Sequence, residues 1–231
     1  IQERENDLVL GTHGRAIFVI DDFSGLRGLS EDDFKIPLKF LSATDGIAYN
    51  PEQTPGTRFV ASTAFIGDNE TRGAMITFMA SGDDLPHPDS ETEKARQIAK
   101  RAEAAKTKKD AKKSKKDKDA KADKEPKKPV KVKIEVSNEE GKIIRTFTRP
   151  VHKGINRVVW GLEENGSKHS LRDRKPDADL PRGFEALPGD YSIKLTLGEN
   201  SVEGSVKVAA DPRVNYSMDE YRARRSYMEE M

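Results

Sequence analysis

Residues 187–197 constrain the fold more than any other stretch, because their side chains alternate between apolar and polar after a Pro-Gly turn. The apolar positions are Tyr191, Ile193, Leu195 and Leu197. A repeat of two residues is typical of a strand with one face on a core and the other in water. The segment therefore predicts an antiparallel sheet, and the sequence from about residue 73 onward supplies strands that pair with it or pack against it.

Five further segments have the length and composition of strands, and together they predict a small antiparallel β-sandwich over residues 130–210. The sequence Asn-Glu-Glu-Gly ending at Gly141 provides a turn between two of these strands, since glycine adopts positive φ at no steric cost. Trp160 is the only tryptophan, and we expect it to fill the core between the two sheets. The five segments are residues 74–78, 130–136, 142–148, 155–162 and 201–208.

The N-terminal part contains two shorter apolar runs, residues 8–10 and 16–20, which flank a Gly-Thr-His-Gly-Arg corner. Both runs are fully apolar, so we expect strands that are buried on both faces. Residues 23–29 predict one helical turn, and residues 36–41 and 58–62 are weaker strand candidates.

Residues 82–129 differ in composition and predict a charged, Lys-rich insertion that is disordered or helical. A capping box at residues 90–93 favours a helix start, whereas residues 106–128 contain twelve lysines, five acidic residues and no large apolar side chain. Such a tract cannot bury enough surface to offset the entropy of ordering. It is either a polybasic tether to a polyanion or a soluble loop insertion, and the second interpretation is favoured.

Composition excludes several classes of function. The chain has no cysteine, which rules out disulfides and thiolate metal sites, and no apolar run approaches the 18 residues of a membrane span. The four histidines lack the spacing of a metal site, so we expect no metal and no cofactor. The net charge is +1 and no aromatic residue interrupts the lysines for base stacking, so we expect no nucleic-acid partner.

Four residues near the N-terminal corner are candidates for ligand binding. His13 and Arg15 lie in the corner itself and could contact an anionic or sugar ligand, although hydrogen bonding to neighbouring loops is the favoured role. Asp21 and Asp22 are adjacent carboxylates, but neighbours on a strand point to opposite faces. A glycosidase needs two carboxyl groups that converge across one bond, so capping of a turn is favoured and no catalytic residue is predicted.

The sequence of residues 7–29, DLVLGTHGRAIFVIDDFSGLRGL, resembles the closing blade of bacterial BNR-repeat, sortilin-like β-propeller proteins. Residues 65–69 followed by 73–78 resemble the link from that propeller to a C-terminal domain. Residues 132–197 resemble the Ig-like or fibronectin III-like domain of flagellar hook-capping proteins and secreted propeller enzymes.

This resemblance implies a mainly β chain that is a piece of a longer protein. Its parts would be a last-blade segment at 1–64, a linker with the first sandwich strand at 65–81, the insertion at 82–129, the Ig-like sandwich at 130–210, and the start of a C-terminal helix at 211–231. A second capping box at residues 217–220 supports the helix.

The resemblance also implies a location and a role. The parent would be secreted or periplasmic, and the chain would be a non-catalytic accessory region whose partners are its own preceding propeller blades and a glycan or protein ligand. The alternative is part of a glycosyl hydrolase-like enzyme whose catalytic residues lie in the propeller.

Overall fold

The computed structural model describes residues 2–3, 5–14, 16–49, 71–82, 84–99, 129–168 and 178–230. Within these ranges the chain is mainly β, as the sequence predicts. The strands are β1 (Leu8–Gly11), β2 (Ile17–Ile20), β3 (Leu38–Ala43), β4 (Gly46–Ala48), β5 (Ala74–Ala80), β6 (Lys131–Ser137), β7 (Ile143–Pro150), β8 (Gly154–Trp160), β9 (Glu163–Asn165), β10 (Arg182–Glu185), β11 (Gly189–Leu197) and β12 (Asn200–Ala210). The helices are α1 (residues 90–99) and α2 (Met218–Glu230), and short 3-10 turns occupy Ser24–Leu26 and Glu31–Lys35.

One layer of the fold is a sheet of five described strands in the order β4-β12-β11-β6-β7. β11 lies in the middle and pairs antiparallel with both β12 and β6. Tyr191, Ile193 and Leu195 are buried while the residues between them are exposed, which confirms the predicted alternation. The tight turn from β11 to β12 begins at Gly198, whose φ of +61° favours glycine.

The second layer consists, among the described residues, of β3, β5 and β8, with β5 in the middle and antiparallel pairing throughout. Ala74, Ile76 and Phe78 of β5 are fully buried and join the side chains of the first sheet in one apolar core. Thr77 and Met79 on the opposite face of β5 are also buried. β5 is therefore covered on both sides, which explains why all of its residues except Thr77 are apolar.

Trp160, at the end of β8, is 1% exposed, so its predicted burial is confirmed. Its indole Nε1 donates to the carbonyl of Glu163 at 2.9 Å, and its ring meets Tyr191 edge-on with centroids 5.3 Å apart. The Tyr191 hydroxyl donates to the carbonyl of Leu187 at 2.6 Å. Burial, helped by the negative charges of Glu164 and Glu139, raises the pKa of Tyr191 to about 12.

The sandwich extends beyond the predicted range 130–210, because β3 and β4 belong to it. β3 pairs with β5 from Leu38↔Ala80 to Ala43↔Ile76, and β4 runs parallel to the end of β12. β3 and β4 lie within residues 1–64, which the resemblance assigns to the blade segment; that domain division stays a prediction, and the pairing adds these two strands to the sheets. The physical reason is that β5 is buried on both faces, and β3 satisfies the backbone groups along one of its edges.

The N-terminal strands β1 and β2 form a separate antiparallel hairpin. Its apolar side chains are open to solvent: Ile17 is 73% exposed, Phe18 56% and Val19 54%. The two predicted strands are present, but their predicted burial on both faces is wrong for the described structure. The apolar sequence of β1 and β2 is typical of strands that are covered on both faces, and the exposure of these side chains bears on function below.

The segment after the hairpin is tied to the sandwich. Arg157 of β8 donates to the carbonyl of Asp22 at 2.6 Å and also to the carbonyl of Asp21. Asp33, in the second 3-10 turn, forms an ion pair with Lys39 of β3 at 2.6 Å. The predicted helical turn at residues 23–29 corresponds to the first 3-10 turn. These bonds hold the base of the hairpin beside the three-stranded sheet.

The chain that follows β8 contains the two short strands β9 and β10, which pair antiparallel with each other. The side chain of Arg145, only 6% exposed, lies beneath this pair. Its Nη1 atom donates to the carbonyls of Pro181 at 2.8 Å and Leu180 at 3.2 Å. The buried guanidinium therefore fastens the β9–β10 ribbon to β7.

The two helices begin at local capping interactions. The Asp89 carboxylate accepts the backbone N–H of Thr92 at 2.9 Å, so the cap of α1 is one residue earlier than the predicted box. At α2 the predicted capping box is confirmed, since Ser217 and Glu220 exchange hydrogen bonds. Four sequence predictions lie outside the described residues: Arg15, the strand 58–62, the link 65–69 and the Lys-rich tract 106–128.

Candidate functional site

The N-terminal corner is the loop of the β1–β2 hairpin. Thr12 closes it, with its backbone N–H and its hydroxyl both donating to the carbonyl of Ala16 at 2.9 and 3.0 Å. His13 is exposed at the tip. Arg15 lies outside the described residues, so the predicted pair of His13 and Arg15 stays a prediction.

Asp21 and Asp22 occupy the junction between the hairpin and the sandwich. Asp22 is 5% exposed; its Oδ1 accepts the backbone N–H of Ser24 at 3.2 Å, and its Oδ2 accepts the hydroxyl of Ser42 at 3.4 Å. Asp21 is exposed and contributes its carbonyl to Arg157. Asp22 therefore caps a turn, the role that the sequence favours, and the two carboxylates do not form a converging pair.

A cleft of about 560 Å³ lies between helix α2 and the adjacent end of the sandwich. Its sandwich wall contains Phe184 and the segment 185–188, and its helix wall contains Tyr221, Arg224 and Met228. The connection from β12 to the helix, including Asp211, Arg213 and Tyr216, forms the remaining wall. Clefts of this size accept small organic ligands.

Arg225 anchors helix α2 along one wall of the cleft. Its side chain is 13% exposed, pairs with Glu164 at 2.5 Å and with Glu229 at 2.6 Å, and lies over the ring of Phe184 at 4.4 Å. Burial lowers the pKa of this guanidinium, but the hydrogen bonds to Glu229 and Glu164 outweigh burial and the pKa is raised. Arg225 is therefore a fixed cation that holds the wall in place.

Asp211 and Arg213 shape the opposite end of the cleft. Asp211 is 7% exposed. Its carboxylate accepts the backbone N–H of Arg213 at 2.9 Å and forms an ion pair with the Arg213 guanidinium at 2.7 Å. These hydrogen bonds from Arg213 lower the pKa of Asp211 to about 2. The ion pair fixes the turn that directs the chain from β12 into α2.

We expect acid to remove the stabilisation that Asp211 provides. An unfolded aspartate has a pKa near 3.9, about two units above the folded value, so the contribution is complete above about pH 5 and is lost as pH falls through about 2. Urea unfolding of wild type and Asp211→Asn should therefore differ at pH 6 and converge between about pH 4 and 2. A difference that stays constant over this range, or that persists unchanged in an Arg213→Gln background, would contradict the assignment.

The sequence contains a weak signal of this cleft. Tyr221, Arg225 and Met228 are the half-buried residues of α2 and recur at a spacing of four and three, as on one helix face. The two uncharged residues fit a packed face, but a charged residue is expected in water, so the sequence alone does not place Arg225 there. The acids that hold Arg225 come from β9 and from the helix itself, so composition did not reveal them.

The chain matches no family model, no curated protein and no solved structure in the three comparisons made. Among the described residues, no cluster of three or more His, Asp or Glu side chains is arranged to hold a metal ion. Neither described helix is long and apolar enough to cross a bilayer.

Proposed function

We propose that this chain is a non-catalytic accessory region of a β-propeller protein, in which the hairpin β1–β2 completes a blade and the sandwich braces it. The observation that carries the proposal is the exposure of apolar side chains on both faces of that hairpin. Directly paired residues share a face, so Val9 and Val19 lie on one side and Leu10 and Phe18 on the other. All four are at least 43% exposed.

Such a hairpin is incomplete by itself. Two strands alone are marginally stable in water. Apolar side chains stabilise a strand pair only when they are removed from water, so a hairpin with both faces open gains nothing from them. Monomeric proteins rarely leave a contiguous apolar surface of this kind open unless it is an interface. A propeller blade supplies what is missing, because its strands pair edge to edge and pack between neighbouring blades.

The attachment of the hairpin supports a bracing role. Arg157 binds the backbone at Asp21 and Asp22, and Ser42 contacts the Asp22 carboxylate, so the base of the hairpin is tied to two strands of the sandwich. A blade that includes the hairpin would thus be held at a fixed position relative to the sandwich.

The resemblance of residues 7–29 to a closing blade identifies the occupant that we propose: the preceding blades of the same polypeptide. It also suggests a secreted or periplasmic protein. We place no catalytic step on this chain, since the buried Asp22 is engaged in a turn; any hydrolase activity would belong to the propeller. His13 and Asp21, both exposed at or near the hairpin, remain proposed contacts to a glycan or protein ligand.

The proposal predicts that hairpin variants matter only when the blades are present. Ile17→Thr with Val19→Thr keeps the β-branched shape but removes exposed apolar surface. In the 231-residue chain we expect a change within about 0.5 kcal/mol. In the longer polypeptide, where both side chains would be buried, the same pair should cost about 2–4 kcal/mol.

Ile143→Thr is the matched control, because Ile143 is 50% exposed on β7. It should change the stability of both proteins equally and slightly, as measured by urea unfolding. The docking proposal would be overturned if the double substitution Ile17→Thr with Val19→Thr changed the free energy of unfolding equally in the short and long proteins. It would also be overturned if the double substitution had no effect in the longer protein.

A further inference from the structure

We propose that the cleft between helix α2 and the sandwich binds a small organic anion that carries a carboxylate on a ring. The inference is independent of the proposed function, because the cleft lies at the C-terminal side of the sandwich and shares no residue with the hairpin. It rests on three observations: an unneutralised arginine, a shielded hydroxyl without a partner, and two exposed aromatic rings.

Four of the five charged side chains that line the cleft are engaged in ion pairs. Arg225 is neutralised by Glu164 and Glu229, and Arg213 is paired with Asp211. The lining acid Glu185 is paired as well, with Arg72 from outside the cleft.

Arg224 also lines the cleft, is exposed, and forms no ion pair with any described residue. Its guanidinium is therefore the cation that the cleft leaves available. A planar guanidinium binds carboxylates and phosphates alike with two parallel hydrogen bonds. A single arginine balances the one charge of a carboxylate, whereas a phosphate monoester carries about −1.5 to −2, so we favour the carboxylate.

Tyr221 supplies the second observation. It lines the cleft, and its hydroxyl oxygen is shielded from water yet has no hydrogen-bond partner in the described part of the chain. A buried hydroxyl without a partner destabilises a fold, so phenylalanine would serve packing better at this position. Because this oxygen is closed off even from water, a ligand acceptor reaches it only when the Tyr221 ring shifts toward the cleft, and that shift would give the hydroxyl its missing hydrogen bond.

The aromatic rings indicate the body of the ligand. Phe184 is 38% and Tyr216 is 52% exposed, and both line the cleft. Tyr216 meets Tyr221 edge-on with ring centroids 5.6 Å apart, so the two lining rings pack against each other. A cleft of about 560 Å³ with these walls fits one or two rings. A sugar acid and an aromatic acid share this chemistry.

Titration of the ¹⁵N-labelled chain with galacturonate and with benzoate tests the inference and separates the two sources. We expect at least one acid to give saturable shifts at residues 184–188 and 213–228, and its neutral counterpart, galactose or benzyl alcohol, to give none. Shifts with galacturonate alone identify a sugar acid, and shifts with benzoate alone an aromatic acid. Absence of saturable shifts with both acids would overturn the proposal.

Three variants locate the binding. Arg224→Gln should weaken it about tenfold, because it loses a charge-assisted pair. Tyr221→Phe should weaken it about fivefold without lowering the melting temperature, which distinguishes a ligand contact from a structural one. Arg222→Gln, on the same helix but outside the cleft, should leave the affinity within about twofold. Unchanged affinity in both Arg224→Gln and Tyr221→Phe would place the ligand elsewhere and contradict the assignment.

Discussion

Replacing Trp160 with alanine is expected to lower the free energy of unfolding by about 3–5 kcal/mol, the range for truncation of a large buried aromatic side chain. The indole is 1% exposed, so its removal opens a cavity in the core. It also removes the edge contact with Tyr191 and leaves the carbonyl of Glu163 without its donor. Urea unfolding followed by far-ultraviolet circular dichroism measures the loss.

Two further variants separate these contributions. Trp160→Phe keeps most of the side-chain volume, so its loss of unfolding free energy should be less than half of that in Trp160→Ala. Ile143→Ala changes a side chain that is 50% exposed and should cost less than about 0.5 kcal/mol. A Trp160→Ala protein within about 1 kcal/mol of wild type would show that the two sheets do not close around this residue.

Arg145→Met is expected to cost about 3–5 kcal/mol, because a buried charge network loses its central member. Methionine replaces only the aliphatic part of the arginine side chain and donates no hydrogen bond to the carbonyls of Leu180 and Pro181. Glu163, whose carboxylate lies 3.6 Å from the guanidinium, loses part of its compensation as well. Burial disfavours the charged form of Arg145: it lowers the pKa of the guanidinium by more than the attraction of Glu163 raises it.

Arg149 provides the matched control on the same strand. Its side chain is 43% exposed and pairs with Asp179 at 3.0 Å, so Arg149→Met should cost less than about 1 kcal/mol. Amide exchange should accelerate in β9 and β10 for Arg145→Met and stay unchanged for Arg149→Met. Equal costs of the two substitutions would mean that the ribbon is held by its own strand pairing rather than by the buried guanidinium.

The strands of the sandwich that alternate strictly are the part of the fold that local sequence determines. β6 and β11 have one face on the core and one in water, so period two identifies each strand and its buried face. Gly141 and Gly198 mark the turns, because both adopt a positive φ of +77° and +61°. Local propensity, turn chemistry and packing agree at these positions.

The elements that the sequence did not predict depend on distant partners. β4 has three residues, Gly46–Ala48, and is a strand only because it lies against the end of β12. β9 and β10 contain the polar sequences EEN and RGFE, and their pairing is held from below by Arg145. None of these sequences predicts a strand by itself, because the backbone hydrogen bonds that make it one are formed with a distant segment.

The candidate cleft was beyond the sequence analysis for a related reason. Its walls combine β10, the turn after β12 and helix α2, which are separated along the chain and meet only in the fold. Arg224 and Arg225 are adjacent and chemically identical in sequence. The structure distinguishes them, because Arg225 finds acids on β9 and α2 while Arg224 remains at the cleft without one.

Amide hydrogen exchange at residues 8–20 tests most directly the central claim that the β1–β2 hairpin is a docking element. In the 231-residue chain, the hairpin amides should exchange much faster than those of β11, because both hairpin faces are open to water. In the longer polypeptide that we propose, with its preceding blades, the protection of the hairpin amides should rise to that of the sandwich strands. Hairpin amides as protected as β11 in the short chain, or as fast in the long protein as in the short one, would contradict the claim.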